Sequence, residues 1–366
     1  MNILQIISGR GVNGALVYCK ILCEELADRG HNVTLICKSG SWMKSNVDST
    51  KIDVIESSLA KYPLNEFNRI TKLVRDQKID LIHTHMTRSQ NFGIWLKFVT
   101  GTPVVATAHN SHFEWHWNFN DFVIANSKAT YDYHSKVNWV PSRRMKTIYC
   151  CPDFDRITST RPDEVAAIRQ ELKLAPDDFL ISVVGEIAAR KGHIHLINAL
   201  PEIARQISSV KVVCIGRYGP KQPHFRRLQK RVLENGISEQ INWVGRKENV
   251  ADYLAASQLT VVPSVEEPLG LVAIESLLAK TAVVANDTGG LKEIIQNEKT
   301  GLLVPVGDHS KLAQAVVRMA KDPELRTQLS ENGRRHVMET FSKSVLIDQV
   351  EEVYNHVTAK RSRKAA

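Results

Sequence analysis

Glu267 and Glu275 are the residues of this 366-residue chain whose types and spacing best suit shared chemistry. Pro268, Leu269 and Gly270 open the segment between them, and the run Leu259-Thr260-Val261-Val262-Pro263 before them reads as a buried strand. From about Leu269 to Ala279 the apolar content and length predict a helix. One carboxylate therefore falls on a loop and the other inside a helix, about 9 Å along its axis from the start. Backbone N–H groups near Leu269, Gly270 and Leu271 lie between the two without intrahelical acceptors. Such a start, at the positive end of the helix dipole, suits a diphosphate. A hexose on one side of that diphosphate and a ribose on the other would each meet one glutamate, which is the outline of a nucleotide sugar. A solvated loop charge and an exposed helix position explain two isolated glutamates better, so their neighbours decide.

Those neighbours are Pro263-Ser264 before the pair and Asn286-Asp287-Thr288-Gly289-Gly290 with Glu293 after it. With them the segment closely resembles the donor-site signature of the retaining glycosyltransferases of family 4, which have the GT-B fold. The resemblance covers nearly the whole chain and is strongest from Gly185 to Leu303. It implies transfer of a hexose or N-acetylhexosamine from a nucleotide diphosphate, UDP by family frequency, to a hydroxyl of a glycan or lipid-linked acceptor. It also implies retention of anomeric configuration, no metal, no cofactor beyond the donor itself, and a place in cell-envelope polysaccharide or lipopolysaccharide biosynthesis. In that assignment Glu275 holds the ribose and Glu267 the hexose, while the N–H groups near Gly270 and Leu271 take part of the diphosphate. Two rivals remain: a nucleotide-sugar epimerase of the same architecture, and a glycan- or nucleotide-binding homologue without turnover.

A second candidate is Val184-Gly185-Glu186-Ile187-Ala188-Ala189-Arg190-Lys191-Gly192, where a strand gives way to a loop ending in two cations. Arg190 as a fork and Lys191 as a point charge would neutralise a diphosphate and stabilise it as a leaving group. In the resembled family an Arg often follows the glycine of this motif directly. Here Glu186 stands there, which moves the expectation to Arg190.

Nearer the start, Ser8-Gly9-Arg10-Gly11-Val12-Asn13-Gly14 follows a strand and precedes a helix, without the Gly-x-Gly-x-x-Gly spacing of a dinucleotide site. The family resemblance selects Gly14 as a donor contact. His109, at the tip of Val104-Val105-Ala106-Thr107-Ala108, is matched by a family histidine beside the reacting sugar. His83 and His85 lack a third ligand at close spacing and are explained by alternation along a strand tip. The aromatic run Phe113-Glu114-Trp115-His116-Trp117-Asn118-Phe119 suits an acceptor wall, a lipid-facing lip, or a loop packed on the core; Trp115 and Trp117 are the acceptor candidates.

The elements that must position these residues alternate strand and helix without hairpin signals, which argues for parallel sheets covered by helices. The expected architecture is α/β: two Rossmann-like domains facing a cleft, with strands ending before the candidate loops. Residues 1–155 form the acceptor-side domain, completed by a C-terminal helix over 342–366, and residues 156–341 form the donor domain. The tail from Lys311 to Thr358 reads as helical with one break near Thr340-Phe341-Ser342.

The composition, 43% hydrophobic and 24% charged, is that of a globular protein. The net charge of +9 and pI near 9.2 favour anionic partners. That charge is dispersed and no recognition motif accompanies it, so a nucleic-acid partner is not expected. Without a signal peptide, a membrane span or a disulfide framework, a cytoplasmic location is expected, with peripheral contact at the inner membrane face compatible with a lipid-linked acceptor. The basic end Lys360, Arg361, Arg363 and Lys364 reads as a solubilising tail.

Overall fold

The fold is that of a computed structural model describing residues 1–59 and 64–365, with side chains to residue 359, so the basic tail lies outside the described side chains. The chain divides into two compact units, Met1–Asp153 with Lys343–Ala366, and Phe154–Ser342.

The first unit is built on seven parallel strands: β1 (Asn2–Ile7), β2 (Asn32–Lys38), β3 (Asp53–Ser57), β4 (Leu81–His85), β5 (Val104–Ala108), β6 (Phe122–Ala125) and β7 (Met145–Thr147). Their order is β3-β2-β1-β4-β5-β6-β7, so the direction of winding reverses between β1 and β4. The inner strands are buried almost without interruption, as expected where helices cover both faces of a parallel sheet. Gln5, His83 and His85 break that apolar pattern, and Gln5 sits in register with His83.

The second unit carries β8 (Phe179–Val184), β9 (Val210–Ile215), β10 (Ile241–Gly245), β11 (Leu259–Val262), β12 (Ala282–Asn286) and β13 (Leu302–Val304), in the order β10-β9-β8-β11-β12-β13. Its winding reverses between β8 and β11, which pair directly. In open α/β sheets ligands bind outside the carboxyl ends of the strands at such a reversal.

The C-terminal helix Lys343–Ala365 belongs to the first unit. Arg29 reaches Asp348 and Glu351 at 2.6 and 2.5 Å, His31 reaches Glu351 at 2.8 Å, and the Tyr354 hydroxyl meets Gln5 Nε2 at 3.0 Å. The tail preceding it is two helices rather than one, His309–Lys321 and Pro323–Thr340, because Asp322 caps the second and Pro323 opens it. The strands β3, β7 and β13 were not expected from the sequence.

Candidate functional site

At the reversal of the second sheet, the loop after β8 and the loop after β11 are tied together by backbone. The N–H of Val265 donates to the Arg190 carbonyl at 2.8 Å. Gly192, at φ +66°, lies so close to the other loop that a Cβ would fall 1.9 Å from the Pro263 carbonyl oxygen. This approach places Lys191 Nζ 2.5 Å from Glu267 Oε2, with both side chains largely buried. Ser264 Oγ donates to the same carboxylate oxygen at 3.1 Å. Arg190 is exposed beside them, and Glu186 pairs outward with Arg217 at 2.8 Å.

The Glu267 loop is held from behind by the segment after β12. Asn286 Nδ2 donates to the carbonyls of Pro263 and Ser264 at 2.8 and 3.1 Å, and Thr288 Oγ1 donates to that of Val265 at 3.0 Å. The N–H of Gly290 donates to the Glu267 carbonyl at 2.9 Å. Gly289, at φ +50°, has no room for a Cβ, which would sit 2.0 Å from that carbonyl oxygen. Asn286-Asp287-Thr288-Gly289-Gly290 is therefore a scaffold that fixes the backbone of the Glu267 loop.

Gly270, at φ +102°, turns the chain into the helix Leu271–Leu278, whose first N–H groups meet no side-chain cap. This start is two residues later than expected, so the partly buried Glu275 lies about 6 Å along the axis rather than 9. Glu267, Lys191 and the open helix start thus follow the carboxyl ends of two paired strands of one sheet, which suits anion and hydroxyl recognition.

In the first unit, Asn13 caps the helix Gly14–Asp28, its side chain accepting from the N–H groups of Ala15 and Leu16 at 3.0 and 3.2 Å. The amides of Ala15 and Leu16 are therefore already met by the chain itself. An Asn directly before a helix was the available signal. The expectation for Trp117 is corrected: it is 4% exposed, packed among Ala106, Ala108, Val123 and Met145 with the His134 ring 4.3 Å away, and cannot form an acceptor wall. Trp115 is 70% exposed.

His109 follows β5 and is partly buried, with burial driving its pKa down to about 4. Its Nε2 lies 3.3 Å from His85 Nδ1 and its Nδ1 3.8 Å from Cys150 Sγ. Of the residues that stand behind it, Gln5 and Tyr354 were missed by sequence reasoning, and His85 was read only as strand alternation. The signal was Gln5, an amide inside an otherwise apolar strand. Among the described residues no group of three or more His, Cys, Asp or Glu side chains is arranged to hold a metal ion, and no helix is long and apolar enough to cross a membrane. All six cysteines are buried and free.

Two family profiles match the chain in succession, Glycosyltransferase Family 4 over residues 12–156 and Glycosyl transferases group 1 over residues 164–336. The chain belongs to glycosyltransferase family 4. It is 24% identical over 371 residues to the N-acetyl-alpha-D-glucosaminyl L-malate synthase of Bacillus anthracis, covering 94% of each chain. It is 29% identical over 204 residues to the lipopolysaccharide core biosynthesis glycosyltransferase LpsD of Rhizobium meliloti, covering 56% of this chain and 57% of that one. Among solved structures, HepE of Anabaena in complex with UDP-glucose superposes with a TM-score of 0.87 at 21% identity, covering 97% of this chain and 100% of that one. WaaG, a glycosyltransferase involved in lipopolysaccharide biosynthesis, superposes with a TM-score of 0.74 at 15% identity, covering 97% and 99%. These likenesses establish the GT-B fold. With the family, they make this family 4 protein a glycosyltransferase.

Proposed function

We propose that this glycosyltransferase moves a hexose or N-acetylhexosamine from a UDP-sugar to a hydroxyl of a glycan or lipid-linked acceptor, with retention and without a metal or cofactor. The observation that carries this reading is the Lys191–Glu267 pair at the β8/β11 reversal, beside the uncapped start of Leu271–Leu278. The complexes of HepE with UDP and UDP-glucose support a uridine donor, and the lipopolysaccharide role named for LpsD supports a cell-envelope acceptor.

Lys191, Arg190 and the N–H groups of Gly270 and Leu271 would take the diphosphate, Glu275 the ribose, and Glu267 the hexose. Because Lys191 and Glu267 are already paired, the arriving diphosphate exchanges the ammonium's partner and leaves the carboxylate to accept from sugar hydroxyls. The bond from C1 to the diphosphate oxygen then breaks, with Lys191 and Arg190 stabilising the charge that develops. The acceptor oxygen bonds to C1 on the face being vacated, and its proton passes to a phosphate oxygen of the leaving UDP. His109 stands beside the reacting sugar in this reading. The exposed Trp115, with Phe98, Phe119 and Trp139, would face a lipid-linked acceptor at a membrane surface.

The test follows UDP-sugars mixed with acceptor glycans by proton NMR of the anomeric signal, with and without a chelator. A product of the donor's own anomeric configuration, formed equally with chelator and lost in both Lys191→Ala and Glu267→Gln, is the expected result. Inversion, a chelator-dependent rate, or turnover unchanged in both variants would contradict it. Isomerisation of the donor without an acceptor would favour an epimerase instead.

A further inference from the structure

The first unit contains a chain of buried polar side chains that the donor chemistry leaves unused. Gln5 on β1, His83 and His85 on β4, Thr107 on β5 and Tyr354 on the C-terminal helix are all buried. Their hydrogen bonds are continuous. His83 Nε2 lies 2.7 Å from Thr107 Oγ1 and His83 Nδ1 2.6 Å from the Tyr354 hydroxyl. That hydroxyl is 3.0 Å from Gln5 Nε2, and Gln5 Oε1 is 3.0 Å from His85 Nε2. His85 Nδ1 then reaches His109 Nε2 at 3.3 Å, and His109 Nδ1 faces Cys150 Sγ at 3.8 Å. The Tyr18 ring stands edge-on to both His85 and His109, at 5.9 and 5.8 Å between centroids, and fixes their planes.

The direction of every proton follows from Gln5. Its Oε1 only accepts, so His85 Nε2 carries a hydrogen. Burial lowers the pKa of His83 to about 3, of His109 to about 4 and of His85 well below the ordinary range, so each ring is neutral at pH 7 and carries one hydrogen. His85 Nδ1 is then an acceptor, and the hydrogen between the two rings belongs to His109 Nε2. His109 Nδ1 is left with its lone pair, accepting from the Cys150 thiol, which burial keeps protonated. On the other side Gln5 Nε2 donates to Tyr354, whose single O–H goes to His83 Nδ1, and His83 Nε2–H ends the chain on Thr107. The opposite polarity would end on Cys150 Sγ, a weak acceptor, where a hydroxyl oxygen and a ring nitrogen serve in this one.

We propose that Gln5 and His85 are positioning residues that hold His109 as its Nε2–H tautomer, so that Nδ1 presents a lone pair to the Cys150 thiol at 3.8 Å. A sugar hydroxyl arriving at that nitrogen meets an acceptor, never an N–H donor. The relevance to transfer rests on the placement of His109 beside the reacting sugar. That placement is tested separately: unchanged turnover in His109→Ala would refute it and leave the tautomer result standing.

The experiment is NMR of the full chain with isotope-labelled histidine, the His109 signals being assigned by their loss in His109→Gln. The wild type is expected to show Nε2 protonated and Nδ1 bare at neutral pH. Gln5→Leu removes the acceptor and should abolish that signature, whereas Gln5→Glu, whose introduced carboxylate still accepts from His85, should retain it. A wild-type His109 protonated on Nδ1, or a signature that survives Gln5→Leu, overturns the proposal. Should Gln5→Leu not fold, the wild-type spectrum alone still decides.

Discussion

Lys191 and Glu267 hold each other directly, and in the proposed function the donor separates them. Removing the carboxylate and removing the ammonium therefore have different consequences. Glu267→Gln releases Lys191 for phosphate, so UDP should bind at least as tightly as to the wild type while kcat falls about 10²-fold. Lys191→Ala should weaken UDP binding and turnover together, and calorimetric titration with UDP separates the two cases. The buried imidazoles make a second prediction. The unfolded chain takes up protons on His83 and His109 as pH falls below 6.5, while the folded chain resists until about 3 and 4. Unfolded protein thus binds more protons in that window, and stability that is complete above 6.5 is lost as pH falls through it. At about pH 4.5 each ring should cost roughly 2–3 kcal/mol, read from urea melts, and His109→Gln should reduce the loss.

The loops after β8, β11 and β12 act as one element, since each is fixed by backbone contacts to the next. Asn286→Ala would leave the buried carbonyls of Pro263 and Ser264 without their donor, costing about 1–3 kcal/mol in a thermal melt and lowering donor affinity at Glu267, which lies earlier in the chain. Gly192→Ala should cost more than Asn286→Ala, because it meets both a left-handed φ and the Pro263 oxygen. Much of this arrangement was legible: parallel strands, their ends, and the residues that cluster there all follow from periodicity and from the resemblance. Asn286-Asp287-Thr288-Gly289-Gly290 was legible as a motif but not as a scaffold, because its partners are backbone carbonyls that sequence does not distinguish. The strands β7 and β13 escaped because they span only three residues each, and β3 because only Val54 and Ile55 of its five residues are apolar. Trp117 and Trp115 could not be told apart, since the short 3-10 turn Trp115–Phe119 sends one ring into the core and the other to solvent.

At the scale of the whole molecule, both units reverse their winding at one strand pair, β1/β4 and β8/β11, and the candidate residues gather at those two places. The histidine chain lies at the first and the Lys191–Glu267 pair at the second. The first unit also exposes Trp115 and Trp139 at 70% each and Phe98 at 66%, with Phe119 bridging Phe98 and Trp115 at ring separations of 6.0 and 5.4 Å. Together with the net charge of +9, this surface should bind vesicles containing anionic lipid at low salt. Replacing Trp115 and Trp139 with Ser should weaken that binding about 10-fold in a sedimentation assay, while raised salt weakens both proteins. The central claim, that the β8/β11 reversal is a site for a uridine diphosphate sugar, is tested most directly by thermal unfolding with UDP, GDP, ADP and their sugars. At 100 times its dissociation constant a ligand stabilises by about 2.7 kcal/mol. The account predicts a shift with UDP and its sugars that is lost in Glu275→Ala and in Lys191→Ala; no shift with any nucleotide, or one that both variants retain, would contradict it.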